Sequence, residues 1–413
     1  MHYVWWFAIS VINVLFGIIA NQIGFLPHLS LTAISISNLL LAILIRNELI
    51  LSLLYHGVIL LSKHVSIGRY LINTGIHYIG SVHVACILWS FIWILIDISY
   101  QLKHFSNPIL ITTSLMLIIL LLSIILTALP PFREKFHNTF ERVHRYIGWL
   151  CLAILTLHIT VLHLININQT HSIVLMLFDP VFIMVIVIII SVFLPWLTVQ
   201  RFNRFNTYCP SPGVMVILVP GKAEVGTFAR ISTDFMEWHS FSVAGIQVNP
   251  YTQQSELRLI VAATGDWTRN LIRQVQRENL PECLWIRRVK PPGFMFSVKA
   301  YSRVLMIATG AGIAPLLPYV EKGDHKHCIL WIGNDHQTTY GDEIWSTMSA
   351  HPRLRIYDTG VHGRPNVGEL AINTLREFNA QAVFCVSNRS VTKVIVNTCL
   401  AIGIPAYGAT WDS

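Results

Sequence analysis

Six apolar runs in the first half of this 413-residue chain constrain its fold more than any other feature. Each approaches the twenty or so residues that an α-helix needs to cross a bilayer. The run at 49–62 is shorter and lies between charged residues, which indicates an interfacial or packed segment. We therefore predict a six-helix transmembrane domain over residues 1–200, with spans at 3–20, 29–45, 71–96, 109–129, 146–165 and 174–199.

The distribution of charge supports this division. Residues 1–200 contain eight Lys and Arg and five Asp and Glu, whereas residues 201–413 contain 21 and 16. The first part is typical of a membrane protein and the second of a soluble domain. The chain has no concentrated basic patch, so nucleic acid is not an expected partner. The seven cysteines are scattered without a CxxC pair, which argues against a disulfide framework or a zinc site.

The positive-inside rule gives an orientation. Basic residues lie at Arg46, at Lys63 and Arg69, in the loop 131–145, and near residue 201. The loops at 21–28 and 166–172 have none, and the loop at 100–107 has one. With six spans, both termini and residues 201–413 are expected in the cytoplasm. The lipid bilayer is then a partner, and either the plasma membrane or the endoplasmic reticulum fits this pattern.

Histidines in the helical half raise the question of haem, which needs one imidazole from each of two facing helices. His144 and His158 are 14 residues apart, about 21 Å along a helix and nearly on one face. His77 and His83 are six apart and lie on different faces. His83 and His158 could meet at similar depth, whereas a two-haem relay lacks a ligand. The candidate haem ligands are His83, His144 and His158, and helix packing is the alternative role.

The second half predicts two further domains. Short β-branched runs with turn signals, at 213–220, 226–232, 239–246, 257–263 and 284–289, predict an antiparallel β-barrel over 201–300. From residue 301 to 413, four strands alternate with helical segments, which predicts a parallel α/β domain. The fold class is therefore a multidomain membrane protein, with a six-helix bundle followed by a barrel and a parallel α/β domain.

Two motifs of the barrel region suggest a flavin site. On the strand that begins at His239, an aromatic residue could stack on a flavin and a hydroxyl could bond the flavin ring nitrogen. A half-buried strand without a ligand would show a similar pattern. Gly265-Asp266-Trp267-Thr268 opens a helix whose N–H groups and Thr hydroxyl could bind a pyrophosphate. An ordinary helix cap by Asp266 is the alternative. The candidate residues are His239, Ser240, Phe241, Ser242, Gly265 and Thr268.

Two motifs of the α/β region suggest a nucleotide site. The strand that ends at Thr309 is followed by small residues, which allow a close approach to a dinucleotide phosphate. A second strand ends in Cys385-Val386-Ser387-Asn388, where ligands of parallel sheets bind. A buried cysteine and a frayed tail around Trp411 are the alternatives. The candidate residues are Thr309, Gly310, Gly312, Pro315, Cys385, Ser387, Asn388 and Trp411.

In this order the motifs resemble the ferredoxin–NADP reductase superfamily, in the form found behind six transmembrane helices in ferric reductases and NADPH oxidases. Further stretches are similar to fungal integral membrane proteins of the TmpA type, whose reductase half also occurs fused to adenylating, peptide-synthetase-like enzymes. These stretches are EWHSFS (237–242), ATGAGIAP (308–315), TTYGDEIW (338–345), GRPN (363–366) and IPAYGATWDS (404–413), with RNEL (46–49), IGSVH (79–83) and FERVHRYIGW (140–149).

The resemblance implies FAD on the strand of His239 and Phe241, with Ser242 nearest the reactive ring nitrogen. It implies NADPH or NADH at residues 308–315, with Cys385 beside the nicotinamide and Trp411 stacked near the flavin. Catalytic roles thus fall to Ser242, Cys385 and Trp411. His239 stands where many members have Arg, and Asn334 and Asp335 stand where a 2′-phosphate would require a cation, so the choice between NADPH and NADH stays open.

Three functional hypotheses follow. The first is a membrane-anchored flavoprotein oxidoreductase that passes hydride from NAD(P)H to FAD and then to a small organic electron acceptor, in secondary or signalling metabolism. The second is a haem-bearing transmembrane reductase or oxidase that moves electrons across the membrane. The third is a degenerate flavoprotein that acts as a membrane sensor or scaffold.

Overall fold

A computed structural model describes residues 2–22, 28–64, 68–104, 107–170, 177–203, 205–321 and 326–409. The chain forms two compact units. The first contains the residues up to Ile50 together with Tyr78–Leu194, and the second contains Leu51–His77 together with the residues from Pro195 onward. The second unit therefore combines both β-sheets with a short stretch from the N-terminal half.

Nine helices lie in the described part of the N-terminal half. They are α1 (His2–Gln22), α2 (His28–Leu44), α3 (Glu48–His64), α4 (Arg69–His77), α5 (Gly80–His104), α6 (Pro108–Ala128), α7 (Pro130–Lys135), α8 (His137–Thr170) and α9 (Pro180–Leu197). An apolar core joins α2, α5, α6, α8 and α9, with Ile36, Ile98, Leu117, Ile159 and Val185 among its members.

Four of these helices are long and apolar enough to cross a membrane within the described residues: α5, α6, α8 and α9. A fifth span is present if α2 and α3, which meet at a bend of 73°, are counted as one. The described apolar part of α1, Tyr3–Ile19, is shorter than a span requires. A multi-helix apolar region is thus confirmed with four or five candidate spans, and the count of six stays a prediction.

The predicted boundaries of two helical segments are wrong. The segment 71–96 is interrupted, because α4 ends at His77 and α5 begins at Gly80. In α4 the buried Asn73 amide donates to the Ser62 hydroxyl (3.0 Å), a polar contact that suits packing inside a protein. Much of the loop predicted at 131–145 is helical, in α7 and the start of α8. Helix α9 begins at Pro180, where Asp179 caps the N–H of Val181 (2.8 Å), and the predicted start at 174 lies outside the described residues.

The first sheet has seven antiparallel strands. They are β1 (Val199–Phe202), β2 (Asn206–Ser211), β3 (Val214–Pro220), β4 (Phe228–Ser232), β5 (His239–Val248), β6 (Ser255–Ala262) and β7 (Leu284–Arg287), in the order β1-β7-β4-β5-β6-β3-β2. Side chains of β3, β4, β5, β6 and β7 meet in one buried core with helix α10 (Asp266–Gln276). The sheet therefore curls around a single core, as a small barrel does. Five of these strands match the predicted ones, and only the edge strands β1 and β2 have no predicted counterpart.

The second sheet is parallel, as predicted. Its strands are β8 (Val304–Thr309), β9 (His327–Gly333), β10 (Leu354–Asp358), β11 (Ala382–Val386) and β12 (Ala406–Gly408), in the order β10-β9-β8-β11-β12. The connecting helices are α11 (Leu317–Glu321), α12 (His336–Tyr340), α13 (Asp342–Ser349), α14 (Thr359–His362), α15 (Val367–Phe378) and α16 (Arg389–Ala401). The strand order reverses at β8, so the crevice between the ends of β8 and β11 is the expected ligand site.

Candidate functional site

Strand β5 and the start of α10, which are separate motifs in the sequence, meet in space. The His239 imidazole stacks on the Trp267 indole with ring centres 4.2 Å apart and planes 28° apart. Phe241 lies two residues further on the same face, with its ring centre 6.0 Å from that of Trp267. Trp267 is held by a hydrogen bond from its Nε1 to the Thr233 hydroxyl (3.3 Å). His239, Phe241 and Trp267 thus form one ring surface, which we call the ring wall.

The hydroxyls of β5 lie on its other face. Phe241 and Val243 belong to the core, so Ser240 and Ser242 point away from it, as the alternation predicted. In the register of β4, Arg230 is paired with Ser240 and Phe228 with Ser242. Arg230 is therefore a cation directly across the strand pair from Ser240. It was not among the predicted site residues, although an Arg in a strand next to a serine-rich strand is a usable signal.

The start of α10 is capped by its own residues. Gly265 is the N-cap, and the Thr268 hydroxyl accepts a hydrogen bond from the Gly265 N–H (3.0 Å) and donates one to its carbonyl (3.0 Å). Asp266 does not cap the helix, because its carboxylate accepts instead from Arg269 (2.8 Å). The alternative role of Asp266 as the helix cap is therefore wrong. The role of Gly265 and Thr268 in pyrophosphate binding stays a prediction. It requires the Thr268 hydroxyl to replace its bonds to Gly265 with a bond to a phosphate oxygen.

The turn after β8 is pressed against the end of β11. A Cβ atom on Gly312 would lie 2.2 Å from the carbonyl oxygen of Val386, so only glycine fits there. Next to it the hydroxyls of Thr309 and Ser387 are hydrogen-bonded at 2.6 Å. Gly310 has φ +51° and its carbonyl accepts from the Trp331 indole (3.1 Å). Four of the predicted nucleotide residues thus meet at the reversal of strand order, whereas Pro315 lies further on, beyond the short helix Gly310–Ile313.

Two other predicted residues have structural partners at the end of β11. The Cys385 side chain is fully buried in the core of the parallel domain, near the Thr392 hydroxyl (4.0 Å). This burial raises the pKa of the Cys385 thiol to about 12. Asn388 caps α16, because its side-chain oxygen accepts from the Val391 N–H (3.0 Å). A contact of Cys385 with nicotinamide stays a prediction, and Trp411 lies outside the described residues.

An aromatic cluster that the sequence analysis missed lies on the other face of β11. Phe384 packs against Phe294 (6.3 Å between ring centres) and Tyr407 (4.9 Å). The hydroxyls of Tyr301 and Tyr407 are 2.6 Å apart. His77 of α4 reaches the same cluster, 5.7 Å from the Tyr407 ring. These residues are up to 330 positions apart, so no local pattern could have predicted their contact.

The two sheets of the second unit are joined by a buried cation. Arg258 of β6 pairs with Glu321 of α11 (2.9 Å) and with Glu343 of α13 (2.9 Å). The Tyr208 hydroxyl of β2 also donates to Glu343 (2.7 Å). Because Arg258 is only 8% exposed, loss of either acid would leave a buried charge without that partner. These contacts fix the parallel domain against the antiparallel sheet.

The two histidines expected to share a haem, His83 and His158, do not lie at the same level of the helices. The His158 ring lies between Thr113, whose hydroxyl is 2.9 Å from Nδ1, and Gln101, whose amide nitrogen is 3.4 Å from Nε2. Gln101 follows His83 by 18 residues on α5, about 27 Å along the helix. His83 and His158 therefore lie at different depths, and the predicted pairing of these two is wrong.

At the depth of His158 the neighbouring helix presents an acid, Asp97, and an amide, Gln101, and not a second histidine that could bind haem. Gln101 also donates to Asp97 (3.3 Å), which accepts from the Thr32 hydroxyl (2.7 Å). His83 instead lies within electrostatic range of His144 and Arg46, and its Nδ1 is 2.8 Å from the Ala42 carbonyl. Within the described ranges, no three His, Cys, Asp or Glu side chains are grouped as metal ligands. The residues around His158 do not fit a haem, and His83 and His144 remain the candidate ligands.

The chain thus combines apolar helices with an antiparallel sheet and a parallel α/β domain. Residues 294–413 match the family model of the adenylate-forming reductase 03009 C-terminal domain. Over 404 residues the chain is 30% identical to adenylate-forming reductase 03009 of Coprinopsis cinerea, covering 95% of this chain and 38% of that one. It is 29% identical over 392 residues to adenylate-forming reductase 06235 of the same fungus, covering 93% and 37%. The chain thus spans less than two fifths of these curated relatives.

Among solved structures, the chain matches the ferredoxin reductase in carbazole 1,9a-dioxygenase at 14% identity and TM-score 0.36, covering 51% of this chain and 69% of that one. Phthalate dioxygenase reductase matches at 12% identity and TM-score 0.39, covering 51% of this chain and 67% of that one.

Proposed function

We propose that this protein is a membrane-anchored flavoprotein oxidoreductase, which uses NAD(P)H to reduce bound FAD and passes the electrons to a small organic acceptor. The observation that carries the proposal is the junction of β8 and β11, where Gly312 contacts the Val386 carbonyl and Thr309 bonds Ser387. This junction lies at the strand-order reversal where nucleotides bind in open α/β sheets. The reductase names of the fungal relatives agree with such an activity.

Two surfaces of the chain are suited to the two cofactors. The ring wall offers stacked rings to a flavin. The Ser242 hydroxyl lies on the opposite face of β5, so its bond to the flavin ring nitrogen stays a prediction. Arg230 and the start of α10 offer positive charge to the FAD pyrophosphate. FAD supplies the hydride chemistry when it is bound, and the protein fixes the orientation of the two rings and excludes water.

The membrane assignment extends the same proposal. We infer six spans, with both termini and the reductase part in the cytoplasm, because the basic residues lie on that side of the helices. The acceptor would then be reached from the cytoplasmic face, in the plasma membrane or the endoplasmic reticulum.

Purification of the full chain in detergent tests the proposal. We expect a flavin spectrum that persists after gel filtration and NAD(P)H-dependent reduction of an artificial dye. Absence of both signals from folded protein would contradict the proposal and would favour the sensor or scaffold.

The coenzyme is expected to be NADH rather than NADPH. The exposed Asn334 and Asp335 follow β9, and Asp358 ends β10, so carboxylates occupy the edge where the ribose binds. A carboxylate accepts from the ribose 2′-OH and repels a 2′-phosphate. We expect kcat/KM for NADH to exceed that for NADPH by at least about tenfold, close to 1.4 kcal/mol.

The variant Asp335→Asn tests this preference. Asp335 has φ +45°, a conformation that Asn also tolerates, so the change removes charge without added strain. It should lower the ratio of kcat/KM for NADH to kcat/KM for NADPH by about tenfold. Asp342→Asn, at an exposed acid on α13, is the matched control. A native preference for NADPH, or an unchanged ratio in Asp335→Asn, would refute the assignment.

A single haem is the second candidate function, because His83 and His144 lie on neighbouring apolar helices and interact electrostatically. If it is correct, the purified protein has a Soret band that His83→Ala and His144→Ala abolish and that His158→Ala leaves intact. A Soret band that depends on His158 would contradict the structure. Absorbance spectra of the three variants, normalised to protein, decide the question.

A further inference from the structure

A cavity of about 240 Å³ lies at the amino-terminal edge of the parallel sheet. It is lined from β9 by Cys328, from the start of β10 by Arg353 and Arg355, and from the last turn of α15 by Thr374, Glu377 and Phe378. Arg303, directly before β8, and Pro352 also line it. The nucleotide junction lies at the other end of β8, about 20 Å away along the strand. The cavity is therefore separate from the proposed nucleotide site.

Arginines dominate the charge of this cavity. Arg303, Arg353 and Arg355 contribute three positive charges, and Glu377 contributes one negative charge. Glu377 approaches Arg355 at only 3.9 Å, and both side chains are more than half exposed, so this pair is weak. The cavity has an excess of two positive charges.

Two of the guanidinium groups contact the same aromatic ring. The guanidinium carbons of Arg303 and Arg353 are each 4.9 Å from the centre of the Phe378 ring. They can therefore be no more than about 10 Å apart, and the cation–π contacts orient both groups. Arg303 also donates to the Phe378 carbonyl, which caps the end of α15. Arg353 and Arg355 line the same cavity as this capping arginine.

We propose that this cavity binds a phosphate group, either free or as the monoester of a small organic molecule. A phosphate carries close to two negative charges and several acceptor oxygens, which match the excess charge and the guanidinium donors. The volume exceeds that of a phosphate alone, so it leaves room for a small organic portion. The site adds a binding function that the proposed reductase activity does not require.

Calorimetric titration of the full chain in detergent tests the proposal, with inorganic phosphate and glycerol 3-phosphate as probes at constant ionic strength. We expect both to bind, and saturating NAD⁺ not to displace them. The double variant Arg353→Gln/Arg355→Gln should lose at least about tenfold in affinity. The charge-matched control is Arg376→Gln/Lys393→Gln, at exposed residues of α15 and α16 outside the cavity lining, and it should stay within about twofold.

The two probes distinguish the source of the phosphate. Tighter binding of glycerol 3-phosphate supports a monoester, and equal binding supports free phosphate. Absence of binding, equal affinity in both double variants, or displacement by NAD⁺ would overturn the proposal. Flavin content and NAD(P)H oxidation are recorded on the same samples. Because Arg353 and Arg355 lie outside the reductase site, failure of the phosphate site is distinguishable from failure of the proposed function.

Discussion

Gly312→Ala is expected to lower NAD(P)H-dependent reduction of the protein by at least about 100-fold, which corresponds to about 2.7 kcal/mol. The reason is steric, because the added methyl group would lie 2.2 Å from the Val386 carbonyl oxygen. The backbone of β11 or of the turn must move, and this separates Thr309 from Ser387. Stopped-flow absorbance of the flavin after mixing with NADH measures the effect.

Flavin content distinguishes this local effect from general unfolding. The antiparallel sheet has its own core, so Gly312→Ala should retain FAD while losing its reduction by NADH. Gly213→Ala is the matched control, since a Cβ there meets nothing within 4 Å and the residue has no positive φ. Rapid flavin reduction in Gly312→Ala would show that nucleotide binds elsewhere.

Trp267→Ala is expected to weaken FAD retention by about 10- to 100-fold, because one stacked ring contributes about 1–3 kcal/mol. Trp267 acts here as a positioning residue, which holds the His239 imidazole at 4.2 Å and packs beside Phe241. Without it, His239 loses its stacking partner on the ring wall. The ratio of FAD to protein after gel filtration, and titration of the apoprotein with FAD, measure the loss.

Two further variants separate stacking from other roles of Trp267. Trp267→Phe keeps a ring and should restore most of the FAD affinity. Thr233→Ala removes only the partner of the indole N–H and should cost less than about threefold. If Trp267→Ala binds FAD as tightly as the wild-type protein, the ring wall is not the flavin site.

The sequence predicted the elements whose pattern is local. Strands β8, β9 and β11 are continuous apolar runs that are buried on both faces, and such runs are typical of parallel sheets. The interruption between α4 and α5 was missed, because His77-Tyr78-Ile79-Gly80 continues an apolar run. Burial of Asn73 against Ser62, which only the tertiary structure shows, explains why α4 packs within the protein.

The candidate site was predictable as a set of motifs but not as contacts. Gly310 and Gly312 were identified from their place after a strand, yet the reason for Gly312 is a carbonyl 74 residues away. His239 and Trp267 belong to separate sequence motifs, and their stacking depends on how α10 packs against β5. The contact between His158 and Gln101 depends on how deep each residue lies in the bundle, and the spacing of residues along one helix does not give that depth.

Anaerobic titration of the purified protein with NADH tests whether the chain passes hydride from NADH to bound FAD. We expect about one equivalent of NADH per bound flavin to bleach the flavin absorbance, since hydride transfer moves two electrons. We also expect that Gly312→Ala, with equal flavin content, is not bleached on the same timescale. Folded protein that binds FAD but shows no bleaching with excess NADH or NADPH would contradict the proposed function.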